Sequence, residues 1–290
     1  MKQETITFSP RKTCLALLLL IFLTSGCTTV IVRPLMDPLT LALQKQTDLE
    51  LIEEGAPSLL LLLDGLIASD PDNESFLMTA VKSYGGYASI LYEDGQIDRA
   101  VNMSTKARQY GIALLKQLPG LENIEHASLD DIELALGQIK PGKIDHLFWG
   151  AYGWAIWIQY QHGAPAAMVS LPIVERIMLR VVELDESYYY GGAHIFLGSY
   201  YGSLPKILGG KPEASRKHFE RALAINERKF LLTQVAYAES YARTMFDREL
   251  FLQLLGEVIE QPLENTKLAS SNKLAKVMAE KLIVQVDDFF

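Results

Sequence analysis

The sequence predicts an all-α fold, an antiparallel helix-pair bundle or solenoid. Segments of roughly 12–22 residues carry apolar residues three and four positions apart, and almost none alternates apolar with polar residues. Proline, glycine and acidic residues punctuate these segments regularly, and each such point predicts a break between helices. The breaks are at Ala56-Pro57, Asp70-Pro71, Glu93-Asp94-Gly95, Leu118-Pro119-Gly120, Lys140-Pro141-Gly142, His162-Gly163-Ala164-Pro165, Gly209-Gly210-Lys211-Pro212 and Gln261-Pro262.

Small residues at helical spacing recur four times, in the manner of tetratricopeptide repeats of about 34 residues. The copies are Ala88, Leu91, Gly95, Ala100 and Ala107; Trp149, Gly153, Ile156, Val174, Met178 and Val181; Leu197, Gly198, Tyr201, Ser215, Phe219 and Ala222; and Val235, Ala236, Leu255 and Val258. The insert 121–141, with Ser128 as its predicted helix cap, separates the first copy from the second. We therefore expect about four cryptic repeats in one domain, residues 37–290, without the regularity of a uniform solenoid.

The N-terminal residues have the order of a secretory signal. Arg11 and Lys12 precede an apolar run too short to span a bilayer, and Ser25, Gly26 and Cys27 follow it. This ending resembles a bacterial lipobox, which makes residues 1–26 a lipoprotein signal peptide, Cys27 the acylated N-terminus and residues 27–36 a lipidated tether. The alternative is an ordinary exported protein cut near Gly26 with a free thiol.

Charge and cysteine content limit the possible partners. The net charge of −8 becomes about −10 without residues 1–26, so neither a nucleic acid nor an anionic membrane surface is an expected partner. Once Cys14 leaves with the signal, Cys27 is the single cysteine, and no disulfide can form within one chain. Thr28, next to the lipidated residue, favours sorting to the outer membrane, on the periplasmic side.

The residue types that carry catalysis show no workable spacing. No two of the five histidines have the i, i+4 separation of a helical zinc site. Gly210 and Lys211 do not form a phosphate-binding loop, because Pro205 and Pro212 occupy positions where that motif needs glycine and a hydroxyl residue. His194 follows a double glycine, yet packing is the more frequent role for such a histidine. We predict no catalytic residue, no metal site and no cofactor.

Aromatic residues form the most suggestive pattern. One predicted helix and the segment after it carry Trp149, Tyr152, Trp154, Trp157, Tyr189, Tyr190, Tyr200 and Tyr201. Their helical spacing places aromatic rings on two flanks, so the helix is either buried widely or lines a cavity with one flank. These residues, with His194 and Lys211, are the candidate ligand- or partner-binding set; plain repeat core is the other interpretation.

Dense short motifs between Leu51 and Pro262 carry a family resemblance. They are Asp64-Gly65-Leu66-Ile67, Asp70-Pro71-Asp72-Asn73, Tyr84–Ala88, Glu183-Leu184-Asp185, Tyr188–Gly192, Leu197-Gly198, Leu204-Pro205, Leu208-Gly209-Gly210, Lys229-Phe230-Leu231, Tyr237-Ala238 and Tyr241-Ala242-Arg243. Together they resemble the TatT family, the T-component lipoproteins of some TRAP transporters. The resemblance implies a homotrimer with apolar pores that pairs with a periplasmic substrate-binding P-component and receives or hands over a hydrophobic small ligand.

Two other functions are compatible with helical repeats of this kind. The first is an envelope scaffold that docks proteins in its repeat groove and carries no ligand. A continuous apolar cavity would favour ligand transfer, whereas a groove lined by polar and charged residues would favour docking. The second is a hydrolase, which would need His194 or a buried carboxylate beside a nucleophile in a cleft.

Overall fold

The computed structural model describes residues 38–290, which contain helices and no strand. The all-α prediction is therefore confirmed for this part of the chain. After a short helical segment, 38–45, the main helices are α1 Leu49–Ser69, α2 Glu74–Glu93, α3 Ile97–Lys116, α4 Leu129–Gln138, α5 Ile144–Tyr160, α6 Leu171–Asp185, α7 Tyr188–Gly202, α8 Pro212–Ile225, α9 Leu232–Tyr237, α10 Arg248–Glu260 and α11 Ala269–Val284. The predicted signal peptide, Cys27 and the tether lie outside the described residues.

Local signals in the sequence fix several helix ends. The predicted cap Ser128 begins α4, and its hydroxyl accepts a hydrogen bond from the Asp131 amide at 3.2 Å. Asn73 caps α2 in the same way, through the Phe76 amide. Pro212 begins α8, where the missing amide proton of proline costs no hydrogen bond.

The predicted break at Ala56-Pro57 is wrong, because α1 continues through Pro57 as one helix. A proline inside a helix removes one hydrogen bond and crowds the preceding turn, at a cost of about 3 kcal/mol. Tertiary packing offsets this cost, since Leu60, Leu63 and Ile67 of α1 are buried and α1 packs on α2. Local sequence rules do not include that contribution.

Helices α3 and α5 pack most closely, because small residues line their contact. A Cβ on Gly111 of α3 would lie 2.7 Å from the carbonyl oxygen of Gly150 on α5, so both positions need glycine for this approach. Helix α5 also packs on α2 and α6. This central position explains why α5 is buried widely and why its aromatic residues point in several directions.

The second half of the chain is built on α7 and α8, which pack closely on each other. Helix α9 follows, continues into a π-helical turn, Ala238–Ala242, and packs with α10 and α11 around Phe219 and Phe251. Helix α11 then returns to α1 and α2, where Lys281 contacts Glu93 at 3.2 Å. The path of the chain therefore curves, and its last long helix meets its first two.

Across residues 38–290, none of the helices combines the length and the apolar character that crossing a bilayer requires.

Candidate functional site

The central feature of the site is a group of seven aromatic side chains where α5 meets the start of α7. We call it the aromatic cluster: Phe148, Trp149, Tyr152, Tyr188, Tyr189, Tyr190 and Phe230. The rings of Trp149 and Tyr189 meet edge to face with centroids 4.5 Å apart. The structure thus joins four of the sequence-predicted residues, Trp149, Tyr152, Tyr189 and Tyr190, and adds others that the prediction did not include.

An unusual backbone turn orients two of these tyrosines. Tyr189, Tyr190 and Gly191 have φ values of 46°, 61° and 76°, three consecutive residues in the left-handed region. The cost is about 1–2 kcal/mol for each residue that has a Cβ. The side chain of Asn226, at the end of α8, stabilises the turn by donating a hydrogen bond to the Tyr190 carbonyl oxygen at 3.2 Å. Strain of this kind is concentrated at functional sites.

Tyr189 is the one member of the aromatic cluster whose side chain is exposed. Tyr189 is 38% exposed, while burial raises the pKa of its hydroxyl to about 12. Tyr152 is half-buried, and burial raises its pKa as well. Solvent therefore reaches the aromatic cluster mainly at Tyr189, whereas Phe148, Trp149 and Phe230 are buried. The Trp149 side chain is only 3% exposed, and its ring packs against the ring of Tyr189.

Polar groups border one side of the aromatic cluster. The Trp149 indole donates to the Tyr188 hydroxyl at 3.1 Å, and Tyr188 in turn donates to the Asp145 carboxylate. The Lys82 ammonium lies 4.4 Å above the centre of the Trp149 ring, and burial lowers its pKa. This side of the cluster is therefore polar and charged, whereas its centre is apolar.

Trp154 and Trp157 do not belong to the cluster. They occupy a different flank of α5, where the Arg108 guanidinium lies 5.2 Å from one ring centre and 4.7 Å from the other. Arg108 also pairs with Glu125 at 2.9 Å. Trp154 is buried in the core, so its role here is packing.

His194 has an unpredicted partner, because α7 and α8 place its Nδ1 2.7 Å from Nδ1 of His218. On the other side of the ring, Nε2 of His194 lies 3.3 Å from Glu186, which Arg221 also holds through two hydrogen bonds. Burial lowers the pKa of both histidines, that of His218 to about 4. A neutral His194 therefore donates a hydrogen bond from Nε2 to Glu186, and its Nδ1 accepts a hydrogen bond from Nδ1–H of His218.

The remaining candidates, Tyr200, Tyr201 and Lys211, form a separate group near the loop between α7 and α8. Tyr201 donates to Glu175 of α6 at 2.6 Å, and the Lys211 ammonium lies 4.4 Å from the Tyr201 ring centre. Ring contacts join Tyr200 to Tyr201, but the aromatic cluster is not part of this group. This group also meets the histidine pair, because the rings of Tyr201 and His218 lie 5.7 Å apart. The sequence-predicted set is therefore divided among three places, counting the Trp154 flank.

A groove of about 790 Å³ opens where α11 meets α1 and α2, apart from the aromatic cluster. We call it the terminal groove; its lining includes Glu50, Glu53, Tyr87, Glu93, Arg99 and Lys281. Carboxylates outnumber cations along this lining. Within residues 38–290, no three or more histidine, cysteine, aspartate or glutamate side chains are arranged to hold a metal ion.

The fold is that of an all-α helical repeat or bundle, with an aromatic cluster where α5 meets the start of α7. The family model of the TRAP transporter T-component (TAtT) matches residues 45–290, and the chain belongs to this family. Membership makes it an accessory component of a transporter system of the bacterial envelope. No curated protein matches the chain.

Proposed function

We propose that this T-component binds an apolar small molecule on the aromatic cluster and transfers it to or from a periplasmic substrate-binding protein of a TRAP system. The observation that carries the proposal is Tyr189, an aromatic side chain that packs on the buried rings of Phe148 and Trp149 and is still 38% exposed. The cellular setting is the one that the sequence predicts: a homotrimer, anchored by lipid at Cys27 on the periplasmic side of the outer membrane.

Burial of apolar surface would supply the free energy of binding. An apolar ligand that covers the exposed Tyr189 ring gains roughly 25 cal/mol for each Å² of apolar surface buried. The ring contacts of Tyr189 with Trp149 and Phe148 hold it in place, which lowers the ordering cost of binding. The strained turn at Tyr189 supports this role, because the chain holds this ring in place at a cost in stability.

A docking scaffold remains the second candidate, and the terminal groove is the observation that favours it. Charged residues line the groove together with apolar ones such as Ile90, Leu274 and Val277. A lining of this kind suits a peptide or protein surface better than an apolar ligand. An enzyme is the weakest of the three functions, because His194 is bonded to His218 and Glu186 and has no nucleophile as a partner.

The test is affinity capture of tagged full-length protein from gently solubilised envelopes, with mass spectrometry of the proteins and small molecules recovered. Ligand transfer predicts an apolar molecule in the wild type and in Phe246→Ala, which removes an exposed ring outside the cluster. The same molecule should be lost from Tyr189→Ala. Recovery of envelope proteins alone, unchanged by Tyr189→Ala, would replace ligand transfer with the docking function.

A further inference from the structure

The terminal groove carries more negative than positive charge. Three of its carboxylates lie three and four positions apart on α1, and two lie at the end of α2. Five carboxylates against two cations leave the lining with an excess of three negative charges. The carboxylates are those of Glu50, Glu53, Glu54, Glu93 and Asp94, and the cations are Arg99 and Lys281.

Both cations of the groove are engaged within the chain. The Lys281 ammonium lies 3.2 Å from the Glu93 carboxylate and also donates to the Glu93 backbone carbonyl oxygen. The Arg99 guanidinium donates to the Tyr87 hydroxyl at 2.8 Å and to the Gln96 side chain. Lys281 therefore neutralises one carboxylate of the groove, and Arg99 neutralises none.

Four carboxylates of the groove have no cationic partner. Between residues 38 and 290, no lysine, arginine or histidine forms an ion pair with Glu50, Glu53, Glu54 or Asp94. The Gln96 amide donates to Glu53 at 2.6 Å and to Asp94 at 2.7 Å, but an amide carries no net charge. The side chains of Glu50 and Glu54 are exposed and make no hydrogen bond to the described residues. These four groups are therefore open to a cationic partner.

The end of α2 is an unfavourable place for two acidic residues. The C-terminus of a helix carries a partial negative charge, so basic side chains are stabilising there and acidic ones are not. Helix α2 nevertheless ends at Glu93 and Asp94, with no basic residue in its last turn. Lys281 of α11 offsets part of this charge, and a further cation in the groove would offset more.

The arrangement suits several cationic groups on one chain better than a metal ion. In the part of the chain that the structure describes, no three acidic, histidine or cysteine side chains converge as metal ligands. The carboxylates are instead distributed along a groove of about 790 Å³. Lysine and arginine can place their methylene stems on apolar residues such as Ile90 and Val277 while their charged ends reach carboxylates.

We propose that the terminal groove docks a lysine- or arginine-rich segment of a partner protein. The proposal goes beyond the ligand site, because the groove and the aromatic cluster share no residue. It gives the partner a stated chemistry, and it applies whether the partner receives a ligand or only assembles with this chain. Complementary charge would steer a basic segment into the groove and repel an acidic one.

The experiment compares three dye-labelled peptides of equal length and one alanine-rich sequence, with lysine, glutamine or glutamate at the same four positions. Binding to the full-length protein in mild detergent is followed by fluorescence anisotropy, at an ionic strength of about 0.15 M. We expect the lysine peptide to bind at least tenfold more tightly than the glutamine peptide, and the glutamate peptide not to bind. Glu50→Gln combined with Glu54→Gln should weaken binding of the lysine peptide at least fivefold.

The matched control combines Glu249→Gln with Glu264→Gln, the same loss of charge at two exposed residues outside the groove. It should keep the affinity for the lysine peptide within twofold of the wild type. Equal binding of the three peptides, no binding of any, or equal weakening by both pairs of substitutions overturns the proposal. Tyr189→Ala should bind the lysine peptide like the wild type, so peptide docking and ligand binding can fail independently.

Discussion

The backbones of Gly111 and Gly150 are in close contact where α3 crosses α5. A Cβ on Gly111 would lie 2.7 Å from the carbonyl oxygen of Gly150. This contact sets the distance between the two helices. It thereby positions α5, which carries Phe148, Trp149 and Tyr152 of the aromatic cluster. Stability at this crossing and geometry at the site therefore depend on the same pair of glycines.

Gly111→Ala should lower the free energy of unfolding by about 1–3 kcal/mol, because the added methyl group meets backbone that cannot move aside. Urea denaturation of both proteins gives the measurement. The control is Gly137→Ala in α4, where a Cβ would have no neighbour within 4 Å. That variant should gain about 0.5–1 kcal/mol from helix propensity. Equal effects of the two substitutions would contradict the close packing of α3 on α5.

The strained turn at Tyr189 predicts an inverted order of stability for two truncations. Tyr189→Gly should be more stable than Tyr189→Ala by about 1 kcal/mol, because only glycine adopts a positive φ without cost. At Glu249, an exposed position of α10, the order should be the usual one, with alanine about 1 kcal/mol better. Chemical denaturation of the four variants tests both orders. If the alanine variant is more stable than the glycine variant at both positions, the left-handed turn at Tyr189 is excluded.

Asp64 should be important for attaching α1 to the rest of the molecule. Its carboxylate accepts hydrogen bonds from Tyr110 at 2.5 Å and from Tyr84 at 2.9 Å. Burial opposes ionisation of this carboxyl group, but the two hydrogen bonds and Lys106 lower its pKa overall. Asp64→Asn replaces one acceptor oxygen by a donor, and we expect a loss of about 1–3 kcal/mol in unfolding free energy. Asp130→Asn, on the exposed face of α4, should change it by less than about 0.5 kcal/mol.

The rate of hydrogen exchange of the α1 amides gives a second measurement of the role of Asp64. If the anchor acts as described, Asp64→Asn should speed exchange in α1 more than in α5. Uniform acceleration along the chain would instead indicate a general loss of stability.

The paired histidines predict how stability depends on pH. The pKa of His218 is lowered from 6.5 to about 4, chiefly by burial and then by His194, so the unfolded chain binds the proton more readily than the folded one. Stability is therefore fully present above pH 6.5 and falls as the pH drops toward 4, with a slope of up to about 1.4 kcal/mol per pH unit for one proton. His218→Gln should reduce this slope.

Denaturant titrations at several pH values between 4 and 7 measure the slope. His126→Gln, a substitution of an exposed histidine, is the control and should keep it. A slope that is unchanged in His218→Gln would show that the pair with His194 does not bury a titrating group.

The sequence by itself determined the helical class, most helix ends and the family. Apolar spacing, the Ser128 cap and Pro212 at the start of α8 are local signals, and they act over a few residues. The motif density that the TatT resemblance relied on is likewise readable along the chain, and the family match over residues 45–290 agrees with it. The local rule failed at Pro57, where packing of α1 on α2 outweighs the preference of proline.

Only the tertiary structure decided which aromatic residues share a site. Trp149 and Trp154 are five positions apart on α5, but the first meets Tyr189 and the second meets Arg108 on another flank. His218 carries no motif, and it meets His194 because α8 packs on α7. The physical reason is that burial, ring contacts and pKa shifts depend on how helices pack together, whereas helix formation and capping depend on neighbours along the chain.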